Sequence, residues 1–192
     1  VHTVRVESGH RTIDVDTGFI VYNERNYPNF VKLIQELDIQ TQPSSMSFSV
    51  RLANPDLEYN GSTLHQLFVD KRNLFRPWFY KMVRDILLFN RMAPDAIDGR
   101  ATNWTLRELL DQHGFSRPFI EYYLVPMGAA IWSTPVTQVL DIPAHFFIQF
   151  FENHGMLTVD DRPEWRVIKG GSCQYVKEII FSYFYLVWPT FY

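Results

Sequence analysis

The chain has 192 residues, about the length of one domain, with 46% hydrophobic and 20% charged residues. These values exclude a disordered or collagen-like chain, and the net charge of −3 disfavours a nucleic-acid partner. The single cysteine, Cys173, excludes an internal disulfide and a cysteine-based zinc site.

The first sixty residues predict a β-hairpin, one helix and a second pair of strands. Apolar spacing predicts a helix from Tyr27 to Leu37, with Pro28 in its first turn. Alternating β-branched and polar residues predict the strands, and Asn60-Gly61 is interpreted as the turn of the second pair. The predicted strands cover residues 2–7, 11–15, Ser47–Arg51 and Leu57–Tyr59.

The middle of the chain predicts a series of helices. Pro94 and Gly155 are interpreted as stops, and Thr102 or Asn103 as the cap of the second helix, which ends at Gly114. A break is expected near Pro126 and Gly128. The predicted helices cover Leu74–Met92, Trp104–His113, Pro118–Trp132 and Pro143–Asn153.

The end of the chain predicts a strand at Trp165–Ile168, a Gly170-Gly171 turn and a helix from about Ser172. The predicted fold class is therefore α+β, with a majority of helix. Phe181–Tyr192 is uncharged and unusually aromatic. This tail is interpreted as a buried strand or as a non-native terminus.

The histidines and the cysteine do not predict a metal site or a catalytic nucleophile. The central histidines, His113, His145 and His154, lack the spacing of metal ligands and are interpreted as ordinary polar side chains. Cys173 lies near a helix start, where a thiolate is favoured, but no histidine is near it in sequence. We interpret it as a small packed residue.

Two glycine-containing segments leave a structural and a functional interpretation open. Gly170-Gly171, between a strand and a helix, is typical of a tight turn or of a phosphate cradle. Thr17-Gly18, after a strand, is a simple strand exit or a place where the backbone approaches a cofactor.

The stretch HTVRVESGHRTIDVDTGFIVYNERNYPNFVKLIQELDI resembles the segment after the nucleotide-binding βαβ unit of FAD-dependent amine-oxidoreductase-type flavoproteins. Further stretches are similar, in the same order, to the predicted NAD/FAD-binding proteins of that group. The resemblance covers about residues 2–178. The further stretches are MSFSVR, LEYNGS, LVPMGAAIWSTP, PAHFFIQFFENHGML and WRVIKGGSCQYVK.

The resemblance implies a helix-rich substrate domain with short strands, within a two-domain, FAD-linked, amine-oxidase-like fold. It divides the chain into a hairpin and helix beside the FAD domain at 1–43 and a helical substrate or cap domain at 44–160. A return strand and Gly-Gly turn follow at 161–178, and the atypical aromatic tail at 179–192.

The resemblance also implies the site residues. Thr17 and Gly18 would pass close to the flavin of FAD, and Gly170 and Gly171 would form the turn that leads back to the nucleotide domain. No catalytic base is predicted. Aromatic residues would line the cavity for a small-molecule substrate, with plain hydrophobic core as the alternative. They are Trp78, Tyr122 and Trp132, with Phe79, Tyr80 and Tyr123 as further candidates.

The function implied is part of a flavin-dependent oxidoreductase that removes hydride from an amine or a C–C bond to FAD. The chain contains no G-x-G-x-x-G motif, so we expect an internal fragment of a longer protein that alone is inactive and binds FAD weakly or not at all. With no secretory leader to read, we expect the cytoplasm.

The alternative function is a non-catalytic helical module that binds a partner or a lipid-like ligand through an aromatic surface. Leu74–Met92 carries Lys81, Arg84 and Arg91 among aromatic residues, which suits a membrane surface. Packing of that helix in the core is the favoured interpretation.

Overall fold

The computed structural model describes residues 1–61, 63–97, 103–158 and 163–187. These residues form helices and short strands, which confirms the predicted α+β class. The chain divides into two compact units. Unit 1 combines the described residues of Val1–Met46 and Pro163–Tyr192, and unit 2 those of Ser47–Arg162.

Unit 1 contains two antiparallel strand pairs and two helices. The predicted hairpin is confirmed, with Gly9 at a φ of +62° in its turn. One strand, β3, was not predicted, because its sequence Thr-Gln-Pro-Ser lacks an apolar alternation. The elements are β1 (Thr3–Ser8) paired with β2 (Arg11–Asp16), α1 (Pro28–Glu36), β3 (Thr41–Ser44) paired with β6 (Trp165–Ile168), and α8 (Cys173–Val187).

A small aromatic core joins α1, β6 and α8. Phe30 of α1 makes edge-to-face contacts with Tyr22 and Tyr175, with ring centroids 5.1 and 5.3 Å apart. Tyr22, Tyr175 and Ile168 are buried. Each edge-to-face aromatic pair contributes about 1 kcal/mol to stability beyond the effect of the buried area.

Unit 2 begins with the strands β4 (Ser49–Leu52) and β5 (Leu57–Asn60), which form an antiparallel hairpin. The prediction of a turn at Asn60-Gly61 is wrong. The register pairs Leu52 with Leu57, so the chain reverses at residues 53–56. Gly61 instead extends the hairpin beyond Asn60, because its N–H donates to the Phe48 carbonyl at 2.8 Å.

The remaining elements of unit 2 are helical and enclose the larger core. Long aromatic and aliphatic side chains from several helices are fully buried there, including Phe79, Met82, Phe119 and Phe147. The helices are α2 (Leu64–Leu67), α3 (Pro77–Ile97), α4 (Leu106–His113), α5 (Arg117–Phe119), α6 (Val125–Trp132) and α7 (Ala144–Asn153).

Helix α3 starts later and ends later than the sequence predicts. Lys71–Phe75 forms a 3-10 turn, and Arg76, which precedes a proline, has the extended ψ of 101°. Pro94 lies inside the helix and is not its stop. The last turn persists because Ala93 is fully buried and Ala96 packs against the core.

Helix α4 is capped at Thr105, two positions after the predicted Asn103. Thr105 accepts from the Glu108 N–H, and the Glu108 carboxylate accepts from the Thr105 N–H, which is a capping box. Asn103 is therefore not the cap, and Thr102 lies outside the described residues. Gly114 ends the helix with a φ of +66°, as predicted.

The predicted break near Pro126 and Gly128 does not occur. The helical run continues through Pro126, and its irregularity is a π turn at Ile120–Leu124. The Tyr122 carbonyl, which lacks a proline N–H four residues later, accepts from the Tyr59 hydroxyl at 2.6 Å. A side chain at Gly128 would lie 2.6 Å from Val139 Cγ1 and 3.1 Å from Phe147. The glycine thus permits close packing and does not end the helix.

We expect Gly128→Ala to lower the free energy of unfolding by about 1–2 kcal/mol, because overpacking outweighs the gain in helix propensity. Urea unfolding followed by circular dichroism measures this. Val139→Ala should relieve the clash, so the double variant should lose less than the sum of the single losses. Additive losses would show that the two side chains do not meet.

The aromatic tail is helical as far as Val187, so it does not form the predicted strand there. Ile180 and Phe181 are exposed. Residues 188–192 of that predicted segment lie outside the described residues. No helix in the part of the chain that the structure describes is both long enough and apolar enough to cross a membrane.

Candidate functional site

The side chain of Asp16 joins the end of β2 to the start of α8. Its carboxylate accepts from the Ser172 N–H at 2.9 Å, from the Ser172 hydroxyl at 2.9 Å and from the Thr3 hydroxyl at 2.5 Å. The carboxylate therefore lies at the N-terminus of α8, where the helix dipole favours a negative charge.

The backbone N–H groups from Gly171 to Gln174 have partners within unit 1. Thr3 Oγ1 accepts from the Cys173 N–H at 3.1 Å, so Thr3 connects the helix start to Asp16. The Gly171 N–H donates to the Ile168 carbonyl, and the Gln174 N–H to the Gly171 carbonyl, each at 3.1 Å. These four N–H groups are therefore used by acceptors of the chain itself.

Gly170 and Gly171 have φ values of +81° and +88°, which only glycine adopts readily. A Cβ at Gly171 would lie 2.6 Å from Thr3 Cγ2 and 3.4 Å from Asp16 Oδ1. The space beside the turn is therefore filled by the chain's own side chains. The contacts at Gly171 favour the interpretation of the Gly-Gly segment as a close-packed strand-to-helix turn over that of a phosphate cradle.

Thr17 and Gly18 lie at the exposed end of the hairpin. Thr17 Oγ1 and His2 Nδ1 are hydrogen-bonded at 2.8 Å, and the Thr17 N–H donates to the His2 carbonyl at 2.9 Å. A Cβ at Gly18 would meet only the backbone of His2 and Val1, at 3.6 and 3.8 Å, which are ordinary contacts. One side of Gly18 is therefore open.

Asp16 brings the four predicted cofactor residues into one region of unit 1. Thr17 and Gly18 directly follow Asp16, and Gly170 and Gly171 directly precede its partner Ser172. The sequence interpretation assigned no role to Thr3, Asp16 or Ser172. The local signal was an acidic residue before Thr-Gly, but its partner lies 156 positions away.

Burial and the Asp16 charge together raise the pKa of Tyr175 above its usual value, with burial as the larger cause. Tyr175 is on the first turn of α8 and packs in the small aromatic core. The phenol is therefore held in its neutral form at this helix start.

The predicted cavity residues lie at two places in unit 2. The rings of Trp78 and Tyr122 are 5.5 Å apart, and the Arg76 guanidinium lies 5.6 Å from the Trp78 ring. Trp132 packs elsewhere, against α7, with its ring 4.9 Å from Phe150. All three predicted residues are partly buried against the larger core.

An open groove of about 730 Å³ lies in unit 2. Leu110, Phe115 and Ile120 belong to its apolar floor, and none of the three predicted cavity residues lines it. Its arginines are paired: Arg117 with Glu121 at 2.6 Å, and Arg107 with Asp141 at 3.5 Å. The groove is therefore suited to a predominantly apolar group.

The side chains in the described ranges do not form a metal centre. Within residues 1–61, 63–97, 103–158 and 163–187, no three histidine, cysteine, aspartate or glutamate side chains converge to hold an ion. His154 stacks on the Phe150 ring with centroids 3.9 Å apart, at the end of α7.

The chain matches no model of a known protein family and no curated protein. The resemblance to flavoproteins therefore stays a prediction.

Proposed function

We propose that the chain is part of an FAD-dependent oxidoreductase that removes hydride from an amine or a C–C bond of an organic substrate to FAD. The observation that carries the proposal is the junction at Asp16. It joins the Thr17-Gly18 segment to the Gly170-Gly171 turn, and these are the two segments that the resemblance assigns to the cofactor side.

In this proposal the two glycine segments have different roles. The Gly170-Gly171 turn holds α8 against the hairpin and binds no phosphate, because Asp16 and Thr3 accept from the Ser172 and Cys173 N–H groups and lie against Gly171. Gly18 offers an open backbone that a flat ring could approach. The phosphates of FAD would then be held by residues outside this chain.

Unit 2 would form part of the substrate domain of the same amine-oxidase-like fold. Its groove, with an apolar floor and paired charges, suits a small molecule with an apolar body. Trp78 and Tyr122, which are in contact, remain candidates for a cavity wall, while Trp132 packs with α7.

The 192-residue chain alone is expected to bind FAD weakly or not at all, because a dinucleotide fold gains much of its affinity from phosphate contacts at a glycine-rich helix start. Gel filtration after incubation with FAD, followed by absorbance of the protein peak, measures the retained flavin. Retention of one flavin per chain would contradict this prediction.

The function itself is tested on the gene and its full-length product. Sequencing should find a strand, a G-x-G-x-x-G motif and a helix encoded before Val1, and the purified product should carry flavin. A start codon at Val1 without such a motif would overturn the proposal. The alternative function, a non-catalytic helical module that binds a partner or a lipid-like ligand, would then be favoured.

Gly18→Leu in the flavin-carrying product tests the assigned segment. We expect a loss of flavin content or at least a tenfold slower reduction by substrate, with an unchanged urea midpoint, because the added side chain occupies the open side of Gly18. Thr12→Leu, on the exposed part of the hairpin, is the matched control. Equal effects of both variants on flavin content and reduction rate would show that Gly18 does not contact the flavin.

A further inference from the structure

Basic residues are concentrated in one short part of unit 2. The whole chain has 18 Lys and Arg residues, 21 Asp and Glu residues and a net charge of −3. Residues 71–91, which cover the 3-10 turn and most of α3, contain a single acidic residue, Asp85, whose carboxylate is buried. Their basic residues are Lys71, Arg72, Arg76, Lys81, Arg84 and Arg91.

The same segment exposes apolar side chains to solvent. Phe75, just before α3, is 85% exposed. The Tyr80 hydroxyl donates to the Leu74 carbonyl at 2.9 Å, which ties the 3-10 turn to the outer side of the helix. Leu87 and Leu88 continue that side, and both are exposed.

The exposed cations and apolar residues occupy one side of α3. With 100° per residue, Tyr80, Arg84, Leu87, Leu88 and Arg91 fall within a sector of about 100°. The exposed Asp95, one turn after Arg91, lies in the same sector and is its one acidic residue among those described. The opposite side is buried in the larger core. We call this outer sector, together with Lys81, Leu74 and Phe75, the basic-apolar face.

Two cations of the basic-apolar face are free of ion pairs. Arg84 pairs with the buried Asp85 at 2.6 Å. Among the residues that the structure describes, Lys81 and Arg91 form no ion pair, and both are exposed. Lys81 and Arg91 are therefore available for an external anion.

We infer that the basic-apolar face docks on a lipid bilayer with anionic headgroups. Leucine and aromatic side chains enter the boundary between headgroups and acyl chains, while arginine and lysine reach the phosphates. Each basic residue near an anionic surface strengthens binding by about 1 kcal/mol, which is about fivefold. The positive segment on a negative chain fixes which side faces the bilayer.

A bilayer suits this face better than a nucleic acid does. Single-stranded nucleic acid is bound by a positive groove with aromatic rings on which bases stack. Here the cations lie on the outer side of a helix and not in a groove. Phe75 and Tyr80 are exposed rings, but they are not the whole of the exposed apolar surface. Leu74, Leu87 and Leu88, which are also exposed beside the cations, offer no ring for stacking.

Flotation of the full 192-residue chain with vesicles tests the inference. We expect binding to vesicles of equal parts phosphatidylcholine and phosphatidylglycerol, weaker binding as NaCl rises, and little binding to phosphatidylcholine alone. Lys81→Glu with Arg91→Glu should reduce binding by at least about 25-fold. Lys32→Glu with Lys177→Glu, an equal change of charge on helices of unit 1, is the matched control.

The apolar part has its own variants. Phe75→Ser and Leu88→Ser should each weaken binding to the mixed vesicles about tenfold at every salt concentration, because less apolar surface enters the lipid. Val136→Ser removes an apolar side chain elsewhere on unit 2 whose exposure, 59%, lies between those of Leu88 and Phe75, and it should leave binding unchanged.

A fluorescent probe reports the orientation directly. Cys173 is the only cysteine, so Leu88→Cys in a Cys173→Ser background carries a single NBD label. Its emission should shift to the blue on the mixed vesicles, whereas the label of Gln138→Cys should not shift. Equal binding by both charge-reversal pairs, unshifted emission at position 88, or tighter binding to a single-stranded oligonucleotide than to vesicles would overturn the inference.

Discussion

Asp16→Ala is expected to lower the free energy of unfolding of unit 1 by about 3 kcal/mol, because hydrogen bonds to a charged group each contribute about 1.5–3 kcal/mol. The variant leaves the Ser172 N–H and the Thr3 hydroxyl without their acceptor and removes the negative charge from the start of α8. Urea unfolding followed by tyrosine and tryptophan fluorescence measures the loss.

Two controls separate the charge from the shape of this junction. Asp16→Asn keeps one acceptor oxygen and should lose about half as much. Asp14→Ala, on the same strand, breaks only the exposed pair with Arg5 and should leave the urea midpoint nearly unchanged. Equal losses in Asp16→Ala and Asp14→Ala would show that the junction does not hold α8.

Asp85→Asn is expected to lower the free energy of unfolding by about 2–3 kcal/mol at neutral pH. Asp85 on α3 is buried; its carboxylate accepts from the Ser116 N–H at 2.8 Å and from Arg84 at 2.6 Å. Ser116 immediately precedes α5, so the carboxylate fixes the start of the helical run from Arg117 to Trp132.

The same residue predicts a pH dependence. Burial alone would raise the pKa of Asp85, but its hydrogen bonds from Ser116 and Arg84 outweigh that effect and hold the pKa below its usual value. A carboxyl with a lowered pKa binds fewer protons in the folded chain. Its stabilisation is present above the unfolded pKa of about 3.9 and is lost as pH falls through the folded pKa.

Urea unfolding of the wild type and of Asp85→Asn across the acid range measures this dependence. We expect the difference between them to be constant near neutral pH and to shrink below about pH 4. Asp95→Asn, an exposed position on the same helix, should show no such difference. A gap between wild type and Asp85→Asn that stays constant into strong acid would contradict the assignment.

Local patterns predicted most elements, because their cause lies within a few residues. Alternation of β-branched and polar residues marks the β1–β2 hairpin, and 3.6-residue spacing marks α1 and α7. Gly114 and Gly155 follow the ends of helices and have positive φ. A glycine at that place in the sequence is enough to predict such a helix end. Asn60-Gly61 was misleading, since the register of β4 and β5 places the turn at residues 53–56.

Long-range packing decided what the local patterns missed. Gly128 was interpreted as a break, but it lies within α6 because Val139 and Phe147 approach its backbone. Pro94 does not end α3, because Ala93 beside it is fully buried and Ala96 packs against the larger core. For the candidate site, the sequence showed the Thr17-Gly18 and Gly170-Gly171 segments. It did not show that Thr3 and Asp16 pack against Gly171 and bind the start of α8.

The sequence by itself determined the α+β class, the positions of most helices and strands, and the high proportion of basic residues in 71–91. Only the tertiary structure decided that the Asp16 carboxylate accepts hydrogen bonds at the N-terminus of α8, and that the cations and leucines on the outer side of α3 lie outside the core. The physical reason is the distance along the chain over which each interaction acts. Propensity and periodicity act over neighbouring residues, whereas a hydrogen bond across 156 positions and the choice of a buried face depend on the folded whole.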